Sequence, residues 1–285
     1  MKSVFAFLLV CICTLPSYAA ETIEGDVKSG AATLHYWSQG HGSPIVLLSG
    51  GPGFASYLHP VMAELAKSGH QAIMVDQRGT GKSTVAPLDE STISSRLLVE
   101  DLEVLRKHIG IQRWNVLGHS WGGMLAMRYG IAHQAAVNSL VLVGSGPMFM
   151  GAEFDRYFED NIHSRLLPSD LEAEAYWMDP QRHKDSSRLV SVERLRAILP
   201  AYFYDRKNSL AFHQDLGAPG VKNELMGRQD PIGETTQYQI RDACRTARLV
   251  FVEQSGHFPW LEQPAAFYRS INSFLDGDGL PRETK

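Results

Sequence analysis

Three residue types that together perform acyl transfer occur here in settings suited to loop tips. They are Ser120 in Gly118-His119-Ser120-Trp121-Gly122-Gly123, Asp230 in Met226-Gly227-Arg228-Gln229-Asp230-Pro231, and His257 in Ser255-Gly256-His257-Phe258-Pro259. A serine hydroxyl is nearly inert at neutral pH. It becomes a nucleophile when an imidazole within hydrogen-bond reach takes its proton and a carboxylate orients that imidazole. The apolar run Trp114–Leu117 leads directly into G-x-S-x-G. Glycines flanking the serine remove the Cβ atoms that would clash in a sharp strand-to-helix turn, so Ser120 would stand at the tip of a nucleophile elbow. The pattern is short enough to arise by chance, and its context must decide.

That context has two further parts. Asp230 follows the run Val221–Met226, and His257 follows Leu249–Val252, so each would emerge just past a strand. Glu253 is a second candidate for the orienting acid. Acyl transfer also needs donors aimed at the developing oxyanion. One would be the backbone N–H of Trp121. The other would be Gly51, in the loop Ser49-Gly50-Gly51-Pro52-Gly53 after the first buried strand, where glycine lets the backbone approach a substrate. His119 would point away from Ser120 and pack rather than titrate. His70, His108 and His133 read as surface or helix-end groups.

The elements that must carry these residues alternate along the chain. Ile45–Leu48, Ala72–Val75, Trp114–Leu117, Leu140–Val143 and Leu249–Val252 are continuous apolar runs, as strands buried on both faces require. Between them Leu58, Val61, Met62 and Leu65, then Leu98, Leu102, Leu105 and Ile109, repeat at helical spacing. Strand and helix in turn predict an α/β fold with a mostly parallel central sheet and helices on both faces, its ligands beyond the carboxyl ends of the strands. From about Pro147 the strand rhythm gives way to charged and aromatic helical segments, at Phe154–Phe158, Leu171–Met178 and Val192–Tyr204. An insertion there would form a helical cap that excludes water from the site, or an added helical layer without a role in it.

The expected organisation is a signal peptide over 1–20, a first core part over 21–146, the cap over 147–217 and a second core part over 218–285. The signal reading rests on Lys2, the apolar run Val4–Leu15 and the small residues near Ala19-Ala20. It implies a secreted or periplasmic mature chain with no stable membrane span. Cys11 and Cys13 would leave with it, and Cys244 would then have no intrachain disulfide partner. The formal net charge of −4 provides no basic field for nucleic acid or an anionic bilayer, so the partner should be a small molecule or short peptide. No cofactor is implied, and no metal: H-E-x-x-H, paired cysteines and histidine-rich clusters are all missing from the sequence. Gly81-Lys82-Ser83 ends like a phosphate-binding loop. Asp76 stands where that loop needs glycine, and Pro87 interrupts any following helix.

Taken together, the Ser49–Gly53 loop, Asp76-Gln77-Arg78-Gly79-Thr80-Gly81-Lys82-Ser83, the Ser120 elbow, Gly227–Asp230 and Gly256-His257 resemble the α/β-hydrolase superfamily. More narrowly they resemble the proline iminopeptidase group of serine peptidases. The resemblance implies Ser120 as nucleophile, Asp230 as orienting acid, His257 as base, and Gly51 and Trp121 as oxyanion donors. It also implies removal of an N-terminal residue, often proline, from a short peptide. Ser49 stands where that group usually has histidine. The group's cap carboxylates hold the substrate amine, and Glu172, Glu174 and Asp179 are the candidates here, though the same residues would also suit a solvated helix face. A carboxylesterase or small-amide hydrolase, and a noncatalytic binding protein that keeps the pocket, are the other expectations.

Overall fold

The computed structural model describes residues 21–147, 152–182, 187–211 and 248–277. The signal segment, the Val221–Met226 run, Asp230 and Cys244 lie outside the described residues.

Among the described residues seven strands form one mixed sheet: β1 (Thr22–Ser29), β2 (Ala32–Gln39), β3 (Ser43–Leu48), β4 (His70–Val75), β5 (Thr84–Val85), β6 (Trp114–His119) and β7 (Val137–Val143). Their order is β1-β2-β4-β3-β6-β7, with β5 beside β2. The centre is parallel, since β3 pairs with β4 and β6, and β6 with β7. The edge is antiparallel through β1, β2 and β5. This edge ribbon is not announced by an apolar run. Its signal is weaker: a tight Ser29-Gly30-Ala31 reversal between two segments in which polar and apolar residues mix.

The central strands are apolar without alternation because both faces are covered. Val46 and Leu48 of β3, Ile73 and Val75 of β4, and Trp114 and Val116 of β6 pack on one side with α2 (Ser95–His108) and α3 (Trp121–Ala132). Ile45 and Leu47, Ala72 and Met74, and Leu117 face the other side, toward α1 (His59–Lys67) and the C-terminal helix Pro264–Leu275. Side chains of one strand thus divide strictly between two cores. The helices follow their apolar spacing: α1 buries Val61, Met62 and Leu65, and α2 buries Leu98, Leu102 and Leu105 behind an N-cap in which the Ser94 hydroxyl accepts from Leu97 N–H.

After β7 the chain turns helical, with α4 (Ala152–His163), α5 (Pro168–Met178) and α6 (Ser187–Ile198) followed by a 3₁₀ turn at Leu199–Tyr202. Ile162, Leu166, Ile198 and Ala201 form a small core of their own there. One expectation is corrected. Leu249–Val252 forms no strand among the described residues, and Val250 and Phe251 are exposed. An apolar run of four is compatible with a strand, but only a neighbour's backbone can make it one.

Candidate active site

At the carboxyl end of β6 the chain turns sharply into α3 through Ser120, whose φ of 57° and ψ of −125° are rarely adopted by a non-glycine residue. Backbone bonds hold the turn: Ser120 N–H donates to Val143 O at 2.9 Å, and Ser120 O accepts from Gly123 N–H at 2.9 Å. The flanking glycines are required by close approach. A Cβ on Gly118 would overlap the Gly122 carbonyl, and one on Gly122 would overlap the Leu48 carbonyl at the end of β3. Glycine at 118 lets the end of β6 close on the start of α3, and glycine at 122 lets the elbow press against β3. Trp121 opens α3, where first-turn N–H groups have no partner inside the helix.

The glycine loop after β3 lies against this turn. A Cβ on Gly50 would stand 2.8 Å from Ser120 Cβ. Gly51 has φ +130°, a region left-handed enough to exclude ordinary side chains. Side chains from elsewhere fix the loop. Ser49 Oγ accepts from Tyr57 N–H at 3.1 Å, so serine in place of the usual histidine still supplies a hydrogen bond here. Gln77 Nε2 donates to Ser49 O at 3.0 Å, and Asp76 Oδ1 accepts from Ser56 N–H at 2.8 Å.

The Asp76–Ser83 stretch is thus a brace. Asp76 Oδ2 takes Lys82 N–H, and Arg78 makes a two-pronged contact with Asp101, Nε to Oδ2 at 2.7 Å and Nη2 to Oδ1 at 2.5 Å. Both partners are buried. Burial pushes the Asp101 carboxyl upward, while the guanidinium pulls it back toward the charged form. Lys82 extends to Glu24 at 2.6 Å and lies over the Trp37 ring, and the chain continues into β5 rather than a helix, unlike a phosphate-binding loop.

His257 sits beside the elbow. A Cβ on Gly144, the residue after Val143, would stand 3.0 Å from His257 Nδ1, and the His257 and His119 rings lie 4.3 Å apart. Its main chain is clamped from two sides. His257 N–H donates to Tyr202 O at 2.7 Å, and His257 O is 2.8 Å from His119 Nε2. Next to it, Gly256 N–H donates to Glu262 Oε2 at 2.7 Å, and the same carboxylate takes Tyr204 N–H, Asp205 N–H and Asn208 Nδ2. Glu262 therefore ties the His257 loop to the end of the helical segment, a role without a motif to betray it in the sequence. Burial pushes the His257 imidazole down to about 3, although part of the residue still reaches solvent. At neutral pH the ring is uncharged, the protonation state from which a general base starts.

The remaining expected residues lie apart. Glu253 and Glu172 are exposed. Glu174 is buried within the helical segment, where it meets His163 Nε2 at 2.9 Å and Arg194 at 3.0 Å, so its charge is already compensated. Asp179 pairs with Arg182 at 3.0 Å on the surface. Among the described residues no cluster of three metal-ligating side chains occurs, and no helix is long and apolar enough to cross a membrane.

Fold and elbow geometry define a class, and the comparisons agree with it. Residues 43–264 match the family described as alpha/beta hydrolase fold, to which this chain belongs. Among curated relatives it is 39% identical over 128 residues to a probable proline iminopeptidase of Streptomyces coelicolor, which covers 42% of this chain and 39% of that protein. It is 38% identical over 127 residues to a proline iminopeptidase of Lactobacillus helveticus, 43% of either chain. The matches thus span less than half the length of these relatives. The crystal structure of VinJ superposes with a TM-score of 0.70 at 21% identity, covering 90% of this chain and 98% of that one, a likeness of fold.

Proposed function

We propose that the protein is a serine hydrolase that forms an acyl-enzyme on Ser120 and acts on small amide or short-peptide substrates, as a proline iminopeptidase-like aminopeptidase. The observation that carries the reading is the Ser120 turn, a strained conformation at the head of α3, with the His257 imidazole packed on the ring of His119, the residue before the serine. Such strain persists only where the surroundings enforce it, and it lifts a side chain out of the regular ladder.

In the proposed reaction His257 takes the Ser120 hydroxyl proton as Oγ bonds to the scissile carbonyl carbon. The carbonyl oxygen becomes an oxyanion facing the N–H groups of Gly51 and Trp121. Collapse of this intermediate breaks the bond to the leaving amine, which receives the proton from His257. Water then repeats the route, giving its proton to His257 and its oxygen to the acyl carbon, and Ser120 is regenerated. Asp230 is assigned to orient and stabilise the imidazolium. The helical segment after β7 is assigned as a cap over the site, and the first twenty residues as a cleaved signal that sends the chain to the periplasm or outside the cell.

A carboxylesterase or small-amide hydrolase is the second reading, favoured by one contact. Glu174, a candidate to hold a substrate amine, is already paired with Arg194 and in hydrogen-bond contact with His163. The test is a substrate panel on the purified mature chain with fluorophosphonate labelling alongside. Turnover of proline-naphthylamide but not nitrophenyl butyrate supports the aminopeptidase, and the reverse supports the esterase. A chain that resists labelling at Ser120 is a binding protein, and the catalytic reading fails.

A further inference from the structure

His119 occupies the position just before Ser120 and is fully buried, as is Tyr57 nearly so. Their hydrogen bonds allow one arrangement of protons. A carbonyl oxygen can only accept, so the 2.8 Å contact with His257 O makes His119 Nε2 the protonated nitrogen. Burial, with His257 alongside, holds His119 well below the ordinary histidine range, so the ring is neutral and Nδ1 carries a lone pair. Tyr57 O–H must then donate to Nδ1 at 2.6 Å, while its oxygen accepts Gly50 N–H at 2.7 Å. The result is a one-way chain from Gly50 N–H through Tyr57 and His119, the residue before Ser120, to the carbonyl of His257. Bonds aligned in this sense polarise one another.

We propose that Tyr57 and His119 form a clasp of fixed tautomer that sets the distance between the glycine loop and the main chain of His257, making both of them positioning residues for the reaction at Ser120. This inference rests on the serine-hydrolase reading. The clasp connects the two halves of the site that lie far apart in sequence. It turns the Gly50 amide back into the protein, which leaves the next amide, Gly51, as the one assigned to the substrate oxygen. Trp260 and Phe258 surround the same imidazole, with ring centroids 4.7 and 5.4 Å away. If His119 served only to pack against them, an apolar residue of similar size would replace it without catalytic cost.

The experiment measures nitrophenyl acetate turnover, the second-order rate of fluorophosphonate labelling and thermal unfolding for Tyr57→Phe, His119→Leu and His119→Gln. With Tyr57→Phe and His119→Leu, kcat and the labelling rate fall together by about tenfold or more, as misplacement of reacting groups does, while KM stays within about twofold. His119→Gln presents an acceptor toward Tyr57 and a donor toward His257 O, and recovers most of the rate. Wild-type kcat and labelling in Tyr57→Phe overturn the clasp, as does a His119→Leu variant as fast as His119→Gln. If His119→Leu does not fold, Tyr57→Phe and His119→Gln decide the matter. Ser120→Ala separates the two ideas: a wild-type chain that labels no better than this variant overturns the serine-hydrolase reading, and the clasp with it.

Discussion

Ser120 turns just after His119, whose ring lies 4.3 Å from that of His257, yet the chain holds the two candidate catalytic residues by different means. The Ser120 turn is fixed largely by its own neighbourhood, through two glycines, a helix beginning at the next residue and a backbone bond to Gly123, with one further bond to Val143 of the adjacent strand. His257 sits in a loop fixed by Tyr202 and His119 from distant parts of the chain and by nearby Glu262, itself tied to Tyr204, Asp205 and Asn208. A local backbone device can be written in a few consecutive residues. A loop held by borrowed contacts depends on the whole fold being in place first, and its precision is correspondingly easier to lose by mutation far from the chemistry.

The sharpest way to separate the halves is Ser120→Ala. Amide or ester turnover should fall by at least about 10³-fold, with the thermal midpoint near that of the wild type, because the turn is held by backbone and not by the hydroxyl. A retained rate would break the comparison at its root. Next in size is the brace behind the glycine loop. Arg78→Ala strands the buried Asp101 carboxylate, which should cost about 3–5 kcal/mol in urea unfolding. The same charge change on the exposed Arg96–Glu100 pair should cost no more than about 0.5 kcal/mol.

Glu262→Gln probes the borrowed half. It removes a carboxylate that takes four donors, so kcat should drop by about tenfold with a smaller effect on KM, and the thermal midpoint should move by a few degrees. An unchanged kcat would mean that the His257 loop holds itself. The mildest effect is on pH dependence. Burial lowers His257 to about 3 and His119 well below its ordinary value near 6.5, so between those limits the unfolded chain binds protons that the native chain refuses. Stability is therefore complete above about pH 6.5 and declines as acid is added toward about 3, by at most about 1.4 kcal/mol per pH unit for each histidine. Urea midpoints at pH 7.5 and 5 measure it, and a lower midpoint at pH 7.5 would contradict the direction.

Much of this was legible in the sequence because its cause is local. The runs at Ile45–Leu48, Ala72–Val75, Trp114–Leu117 and Leu140–Val143 are strands, since a parallel sheet covered on both faces favours mostly apolar residues. The spacing of Val61, Met62 and Leu65 gave a helix for the same reason of burial. The antiparallel edge carried a fainter mark, with polar and apolar residues interleaved and no long apolar run. Leu249–Val252 had the composition of a strand and lacks a ladder among the described residues. Glu174 read either as a carboxylate that could hold a substrate amine or as part of a solvated helix face; it is buried and paired with Arg194 inside the helical segment, and which cation folds against it is a matter of packing.

By itself the sequence determined the alternation of strand and helix, the glycine-flanked serine and the order in which the candidate catalytic residues appear. Periodicity and the absence of a Cβ act on neighbours along the chain, and neighbours are what a sequence records. Only the tertiary structure decided that Gln77 and Asp76 brace the glycine loop, that Glu262 binds three distant donors, and which nitrogen of His119 carries its proton. Each of these is settled by a partner tens of residues or more away along the chain, or brought up by a helix and loop closing on it, and a hydrogen bond has a direction only once both of its ends are in place.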